Sequence, residues 1–278
     1  MAVTRFAPSP TGYLHLGHAY SALFAVENAG PTGTMLLRIE DIDLTRCRPE
    51  FAAAIAEDLH WLGLSWPVPV RRQSVHFDEY RAALDRLDAM ALLYPCFCTR
   101  SQLAAQVSAS ASAPHGASPI YPGTCRHLAE AERARRIAAG EAFALRLDVA
   151  KALRQTGALS WTDLDRGTIA GDPLSLGDVV LARKDFPASY HLAVTLDDAR
   201  QGVEIVTRGQ DLFEATHIHR LLQALMDLPV PVWRHHPLLM GPDGKRLAKR
   251  DGVTDLRSLR ADGKTPEDIR AMICQAAT

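Results

Sequence analysis

Two histidines three residues apart, His15 and His18, stand where a short apolar stretch gives way to a helical pattern. Imidazoles at a helix start suit phosphate, because the first N–H groups of the helix are unpaired and attract anions. A second basic cluster, Lys245-Arg246-Leu247-Ala248-Lys249-Arg250, lies near the other end of the chain. Two such patches could hold a polyphosphate from both sides and neutralise charge developing on it. Three of the five cysteines, Cys96, Cys98 and Cys125, could offer soft thiolates to one metal ion. Cys47 and Cys274 read as ordinary buried or semi-buried thiols.

These groups need a scaffold, and the patterning supplies one. Val3 to Ala7 is apolar and β-capable, and Pro8-Ser9-Pro10-Thr11-Gly12 forbids its continuation. From about Leu16 the spacing of Leu16, Ala19, Tyr20, Leu23 and Phe24 predicts a helix. Gly17 lacks a Cβ, so a nucleotide base could stack on backbone there. Met35 to Asp41 reads as a buried strand ending in acids. Helices follow at Pro49 to Leu62, through Phe51, Ile55 and Leu59, and at Phe77 to Leu87, through Tyr80 and Leu84. Alternation of this kind predicts a parallel α/β sheet with its ligand at the carboxyl ends of the strands.

The character changes at Tyr94. Val107 to Gly116 is small and polar without periodicity, which predicts a mobile loop. Ala129 to Ala139 reads as a helix, and Ala142 to Asp148 as a half-buried strand with Phe143, Leu145 and Leu147 on one side. Asp178 to Arg183, Tyr190 to Thr195 and Val203 to Arg208 read as further strands. Ile218 to Met226 is helical, and Thr265-Pro266 starts a last short helix. The expected fold is α/β, a Rossmann-type parallel sheet formed by residues 1–94 and 176–240. Residues 95–175 would be a zinc-containing, RNA-binding insertion, and residues 241–278 a basic loop with a short helical tail.

A net charge of −1 argues against nucleic-acid binding by bulk positive charge, although Arg71-Arg72, Arg133 to Arg136 and Lys245 to Arg250 could form local basic faces. No apolar run approaches the length of a membrane span, and no secretory signal is visible. The odd cysteine count suits a reducing cytosol and a metal better than a disulfide frame. The expected location is therefore cytoplasmic, without a membrane partner.

The segment His15-Leu16-Gly17-His18 resembles the HIGH motif of class I aminoacyl-tRNA synthetases, and Arg5-Phe6-Ala7-Pro8-Ser9-Pro10-Thr11-Gly12 is similar to the opening of their glutamyl and glutaminyl branch. Arg246-Leu247-Ala248-Lys249-Arg250, after Gly241-Pro242-Asp243-Gly244-Lys245, is similar to the KMSKS motif. It departs at Arg246, usually lysine, and at Ala248, often serine. The resemblance implies that His15, Gly17, His18, Arg246 and Lys249 bind ATP, carried with magnesium, and that His15, His18 and Lys249 act in catalysis. For L-glutamate it implies Arg5, Ala7, Ser9, Glu40, Tyr190 and Arg208, with the two arginines on carboxylate and Glu40 near the ammonium.

Ligand chemistry alone offers His127 or His115 as a fourth zinc donor beside the three cysteines. The resemblance to glutamyl-queuosine tRNA(Asp) synthetases, whose site reads Cys-x-Cys…Tyr-x-x-x-Cys, points instead to Tyr121, with one structural zinc per chain. The resemblance covers nearly the whole chain but stops where a full glutamyl-tRNA synthetase would begin its anticodon-binding region. That implies transfer of activated glutamate to queuosine at the wobble position of tRNA(Asp), by a monomer. Two alternatives stand beside it: a discrete synthetase charging a tRNA 3′ end, and an inactive paralogue kept as a zinc-dependent RNA-binding protein.

Overall fold

Two prolines and a glycine stop the first strand where the phosphate-binding turn begins, and the rest of the sheet is laid out from that point. The computed structural model describes residues 1–99, 101–103, 120–183, 186–240 and 254–276. The first elements are β1 (Val3–Phe6), α1 (Leu16–Ala29), β2 (Thr34–Ile39), α2 (Pro49–Trp61), β3 (Arg71–Arg72) and α3 (Phe77–Ala89). They are followed by β4 (Leu93–Cys96), α4 (Glu130–Ala138), β5 (Ala144–Leu147), α5 (Val149–Thr156), β6 (Ser160–Asp163), β7 (Gly167–Ala170) and β8 (Val180–Arg183). The remaining elements are α6 (Tyr190–Arg200), β9 (Ile205–Gly209), α7 (Ala215–Met226), β10 (Val232–His236), α8 (Leu256–Ala261) and α9 (Pro266–Ala276).

The fold is mixed α/β. Strands β1, β2 and β3 run parallel, and so do β9, β10 and β6. The two groups meet where Glu204 N donates to the Val3 carbonyl at 2.9 Å. Strand β7 pairs antiparallel with β6, so residues 160–170 extend the sheet that holds β9 and β10. Strands β4, β5 and β8 form a separate antiparallel sheet. One core gathers α1, β2 and α2 with Leu256, Leu259, Ile269 and Ile273 of α8 and α9. The C-terminal helices thus close the apolar face of the first βα unit. A second core joins α3, α5, α6 and α7 beneath β8. No helix among the described residues is long and apolar enough to cross a membrane.

The run from Tyr190 to Thr195, expected to be a strand, is the start of α6 instead. Ser189 caps it by accepting from Leu192 N, and the Thr195 hydroxyl donates back to the His191 carbonyl at 2.7 Å. Its Leu192 and Ala193 are buried in the core that α7 lines, so tertiary burial overrides strand propensity. The expected alternation in β5 also has an exception: Arg146, on the presumed polar side, is buried. Its guanidinium lies 3.8 Å from the Tyr121 ring centroid and donates to the Asp178 carbonyl. The loop expected at residues 107–116 lies outside the described residues.

Helix α6 is tied to the sheet by charge. Asp198 Oδ1 accepts from Arg5 Nε at 3.0 Å and from Arg38 Nη1 at 2.8 Å. Asp197, fully buried beside it, accepts from Arg71, Gln73 and Tyr80. Burial would raise the Asp198 carboxyl, but the charges of Arg5 and Arg38 outweigh it and hold the group below the usual range. Its stabilisation is therefore full above the unfolded-state pKa and is lost as pH falls through the lowered folded-state value. Asp198→Ala leaves two buried guanidinium groups short of a partner and should cost about 3–5 kcal/mol, read as a lowered urea midpoint at unchanged slope.

Candidate active site

The chain reverses direction at Pro8 to Leu14, and helix α1 then starts with its N-terminus facing the carboxyl ends of β1, β2 and β9. His15 is the N-cap of α1: its Nδ1 accepts from Gly17 N at 3.1 Å, while its own N–H donates to His18 Nδ1 at 3.2 Å. The imidazoles cap the helix reciprocally, with ring centroids 3.9 Å apart. Because each Nδ1 accepts, each neutral ring carries its proton on Nε2, the tautomer able to donate to a phosphate oxygen. A Cβ on Gly17 would lie 3.0 Å from His15 Cε1, so this glycine also makes room for the capping ring.

A cavity of about 570 Å³ opens there. Its lining includes His15, Gly17 and His18 on one side, and Arg5, Ala7, Ser9, Glu40, Tyr190 and Arg208 on the other. The structure thus brings nine of the expected site residues to one opening. Arg246 and Lys249 lie outside the described residues.

The two arginines differ in their surroundings. Arg5 pairs with Asp198 and donates to the Thr207 carbonyl at 2.7 Å. Among the described residues Arg208 is held by four neutral partners: Tyr190 Oη at 3.3 Å, His219 Nδ1 at 3.1 Å, His235 Nε2 at 3.2 Å, and the Thr216 hydroxyl. Burial lowers the pKa of Arg208. Burial, followed by the charge of Arg208, pushes His235 and His191 down to about 4 and His219 well below its ordinary value. Across these residues Glu40 lies 3.3 Å from Arg38 Nη2. Burial raises its pKa against the pull of Arg38 and Arg5.

Several contributors were invisible along the chain. Arg38, inside the strand expected at Met35 to Asp41, has no expected role, yet it is completely buried and pairs with Asp198 and Glu40. Ser21 and His236, 2.9 Å apart, also line the cavity. The adjacent acids Asp197-Asp198 in an apolar run were the available signal. Of the basic faces, Arg71 and Arg72 are engaged with Asp197, Glu79 and Asp41, and Arg135 and Arg136 with Glu132.

A larger cavity of about 1220 Å³ adjoins the first and shares Ser9, Thr11, Glu40 and Tyr190 with it. Its far wall carries Tyr121 and Arg146. Behind that wall Cys96, Cys98 and Cys125 hold their Sγ atoms within 4.8 Å of one another, a group that could hold a metal. Tyr121 Oη lies 3.4 Å from Cys96 Sγ and 3.9 Å from Cys98 Sγ, and accepts from Cys125 N at 2.7 Å. The exposed His127 is not part of this cluster, and His115 lies outside the described residues.

With this geometry in hand, the similarities to known proteins have a structural counterpart. Residues 1–277 match the family described as tRNA synthetases class I (E and Q), catalytic domain. A Glutamyl-Q tRNA(Asp) synthetase of Rhodobacter capsulatus is 48% identical over 98% of this chain and 99% of its own length. One of Symbiobacterium thermophilum is 44% identical over 97% of this chain and 84% of its own length. Among solved structures, a glutamate tRNA ligase from Elizabethkingia meningosepticum, crystallised in complex with its amino acid, superposes with a TM-score of 0.75 at 28% identity. That alignment covers 98% of this chain and 60% of the ligase, so the chain spans less than two thirds of its length. Family match, fold and the His15–His18 turn agree, and the chain belongs to the class I tRNA synthetases of the glutamate and glutamine branch.

Proposed function

We propose that this chain is an ATP-dependent ligase that activates L-glutamate as glutamyl-adenylate and transfers the glutamyl group to queuosine at the wobble position of tRNA(Asp). The carrying observation is one cavity lined both by a phosphate-type helix start and by a buried arginine whose partners among the described residues are all neutral. In the first step a glutamate carboxylate oxygen bonds to the α-phosphorus of ATP and the bond to pyrophosphate breaks. His15 and His18 donate from Nε2 to the phosphates over Gly17, and Lys249 and Arg246 complete the clamp. Arg5 and Arg208 bind the carboxylate charge of the amino acid, Glu40 its ammonium, and Tyr190, Ala7 and Ser9 its flanks. In the second step an acceptor hydroxyl attacks the glutamyl carbonyl and AMP leaves. The adjoining larger cavity gives the acceptor nucleoside a route to that carbonyl past Tyr121 and Arg146, so that the RNA-facing part of residues 95–175 is the part outside β6 and β7, which extend the main sheet.

The three thiols fit a structural zinc. Zn–S bonds of ~2.3 Å in a tetrahedron set donors about 3.8 Å apart, close to the 3.5 Å between Cys98 and Cys125 Sγ. Burial, the Cys125 contact and the neighbouring Cys96 charge push the Cys98 thiol up to about 12. A divalent cation reverses that balance by stabilising the thiolates. When bound, zinc would pin the loops carrying Cys96 to Cys98 and Tyr121 to Cys125, and Tyr121 would supply the fourth donor. Metal analysis after purification without added zinc should give one zinc per chain. Tyr121→Phe should lower that occupancy and His127→Ala should not; the opposite pattern removes Tyr121 from the donor set.

Since the glutamate pocket is built from protein alone, glutamate-dependent exchange between ATP and pyrophosphate should proceed without tRNA. His15→Ala and His18→Ala should each raise the barrier to exchange by roughly 2–4 kcal/mol, the scale for a lost transition-state donor. Lys249→Ala should do at least as much as Arg246→Ala. The function itself is read by nuclease mapping of labelled glutamate on tRNA(Asp). Label on the queuosine nucleotide is the expected result, and label on the 3′ terminal adenosine would replace the proposal with acceptor-end charging.

A further inference from the structure

Arg208 presents an orientation problem that its own strand does not solve. Its Nε–H meets His235 Nε2 at 3.2 Å, and because a guanidinium can only donate, that nitrogen must accept. The proton of a neutral His235 then sits on Nδ1, where Asp163 Oδ2 receives it at 2.7 Å. The side chains of Asp163 and His235 are 1% and 0% exposed, so water does not compete for either contact. The other Asp163 oxygen accepts from the amides of Asp165 and Arg166, which fixes the carboxylate in the turn between β6 and β7. The same logic runs on the other side of Arg208. His219 Nδ1 accepts from Nη1 at 3.1 Å, and its Nε2–H then donates to His191 Nδ1 at 3.2 Å.

Asp198 already compensates Arg5, whereas the partners of Arg208 fix its plane without neutralising it. We propose that Asp163 and His235 are positioning residues for carboxylate recognition: Asp163 selects the Nδ1–H tautomer of His235, whose Nε2 then aims the Arg208 guanidinium, which has no acidic hydrogen-bond partner among the described residues, at the substrate's carboxylate. This rests on the reading of Arg208 as a glutamate contact. It adds that selectivity for an anionic amino acid depends on a carboxylate in β6, behind the cavity wall. Asp163 does not touch the substrate. It acts through a proton whose location decides whether His235 faces Arg208 as acceptor or as donor.

Asp163→Asn tests this directly. The amide oxygen still serves the two turn amides, but its NH2 group faces His235 Nδ1, drives the imidazole proton to Nε2 and opposes it to Arg208 Nε–H. The expected result is a tenfold or greater rise in both the glutamate KM of pyrophosphate exchange and the calorimetric Kd, with kcat and the ATP KM within twofold. His235→Gln supplies a carbonyl acceptor that needs no tautomer. In the Asp163→Asn background it should return the glutamate KM to within threefold of wild type. A purely structural Asp163 predicts no rescue, and equal losses for glutamate and ATP, or failure of the rescue, overturn the proposal. Should Asp163→Asn fail to fold, 15N NMR of histidine-labelled wild-type protein still decides, because a proton on Nε2 of His235 refutes the arrangement. A wild type that neither binds glutamate nor supports exchange defeats the functional reading itself. Normal wild-type binding with an unaffected Asp163→Asn defeats only the positioning role.

Discussion

The carboxylate of Asp198 stands between two guanidinium groups, Arg5 at the end of β1 and Arg38 in β2, and the active-site side of the molecule is arranged around that bridge. Arg38 is completely buried and also meets Glu40, while Asp197 one residue earlier draws in Arg71, Gln73 and Tyr80. Desolvating this many charges is expensive, and a well-packed apolar set of the same volume would give equal or greater stability. What charge supplies is geometry. A helix packed on a sheet by side-chain ridges alone can slide or turn, whereas α6 is held in one register by named oxygen–nitrogen pairs. Tyr190, at the first turn of that helix, inherits its place in the cavity from them.

Electrostatic asymmetry within the cavity follows from the same network. Arg5 and Arg38 have acids beside them, whereas Arg208 is surrounded by Tyr190, Thr216 and two imidazoles that burial keeps neutral. A buried cation held by neutral acceptors is oriented but remains attractive to an anion in a region of weak screening. Glu40 lies in the same cavity beside Arg38, its carboxyl raised by burial against the pull of Arg38 and Arg5. Groups held in one hydrogen-bonded network are preorganised, and preorganisation of this kind lets binding and catalysis avoid reorganisation costs.

The cysteine cluster is mechanically connected to this centre. Arg146 stacks on Tyr121 and donates to the Asp178 carbonyl, and the Asp178 carboxylate accepts from Tyr94, Arg126 and Val149 N. Tyr121 therefore faces the thiols with its hydroxyl and the larger cavity with the arginine on its ring. A change at the thiols reaches that cavity wall through one aromatic side chain.

Contiguous stretches carried much of this in the sequence alone. The β1–α1 turn, with His15, Gly17 and His18, was legible because prolines, a glycine and a capping pair act over neighbours. The helices at Pro49, Phe77 and Ile218 were legible because their apolar spacing exceeds any competing pattern. Local information misled at Tyr190 to Thr195, where β-branched residues mimic a strand and only a cap plus burial on two sides make a helix. It was silent on Arg38, 160 positions from Asp198, and on Asp163, 72 positions from His235. An arginine amid aliphatic residues looks the same in sequence whether it lies at a surface or in an ion network. The sequence determined which groups could bind phosphate, carboxylate and metal. Only the tertiary structure decided which charges compensate one another and which, like Arg208, meet only neutral partners among the described residues, because electrostatic energy depends on distance and burial rather than on order along the chain.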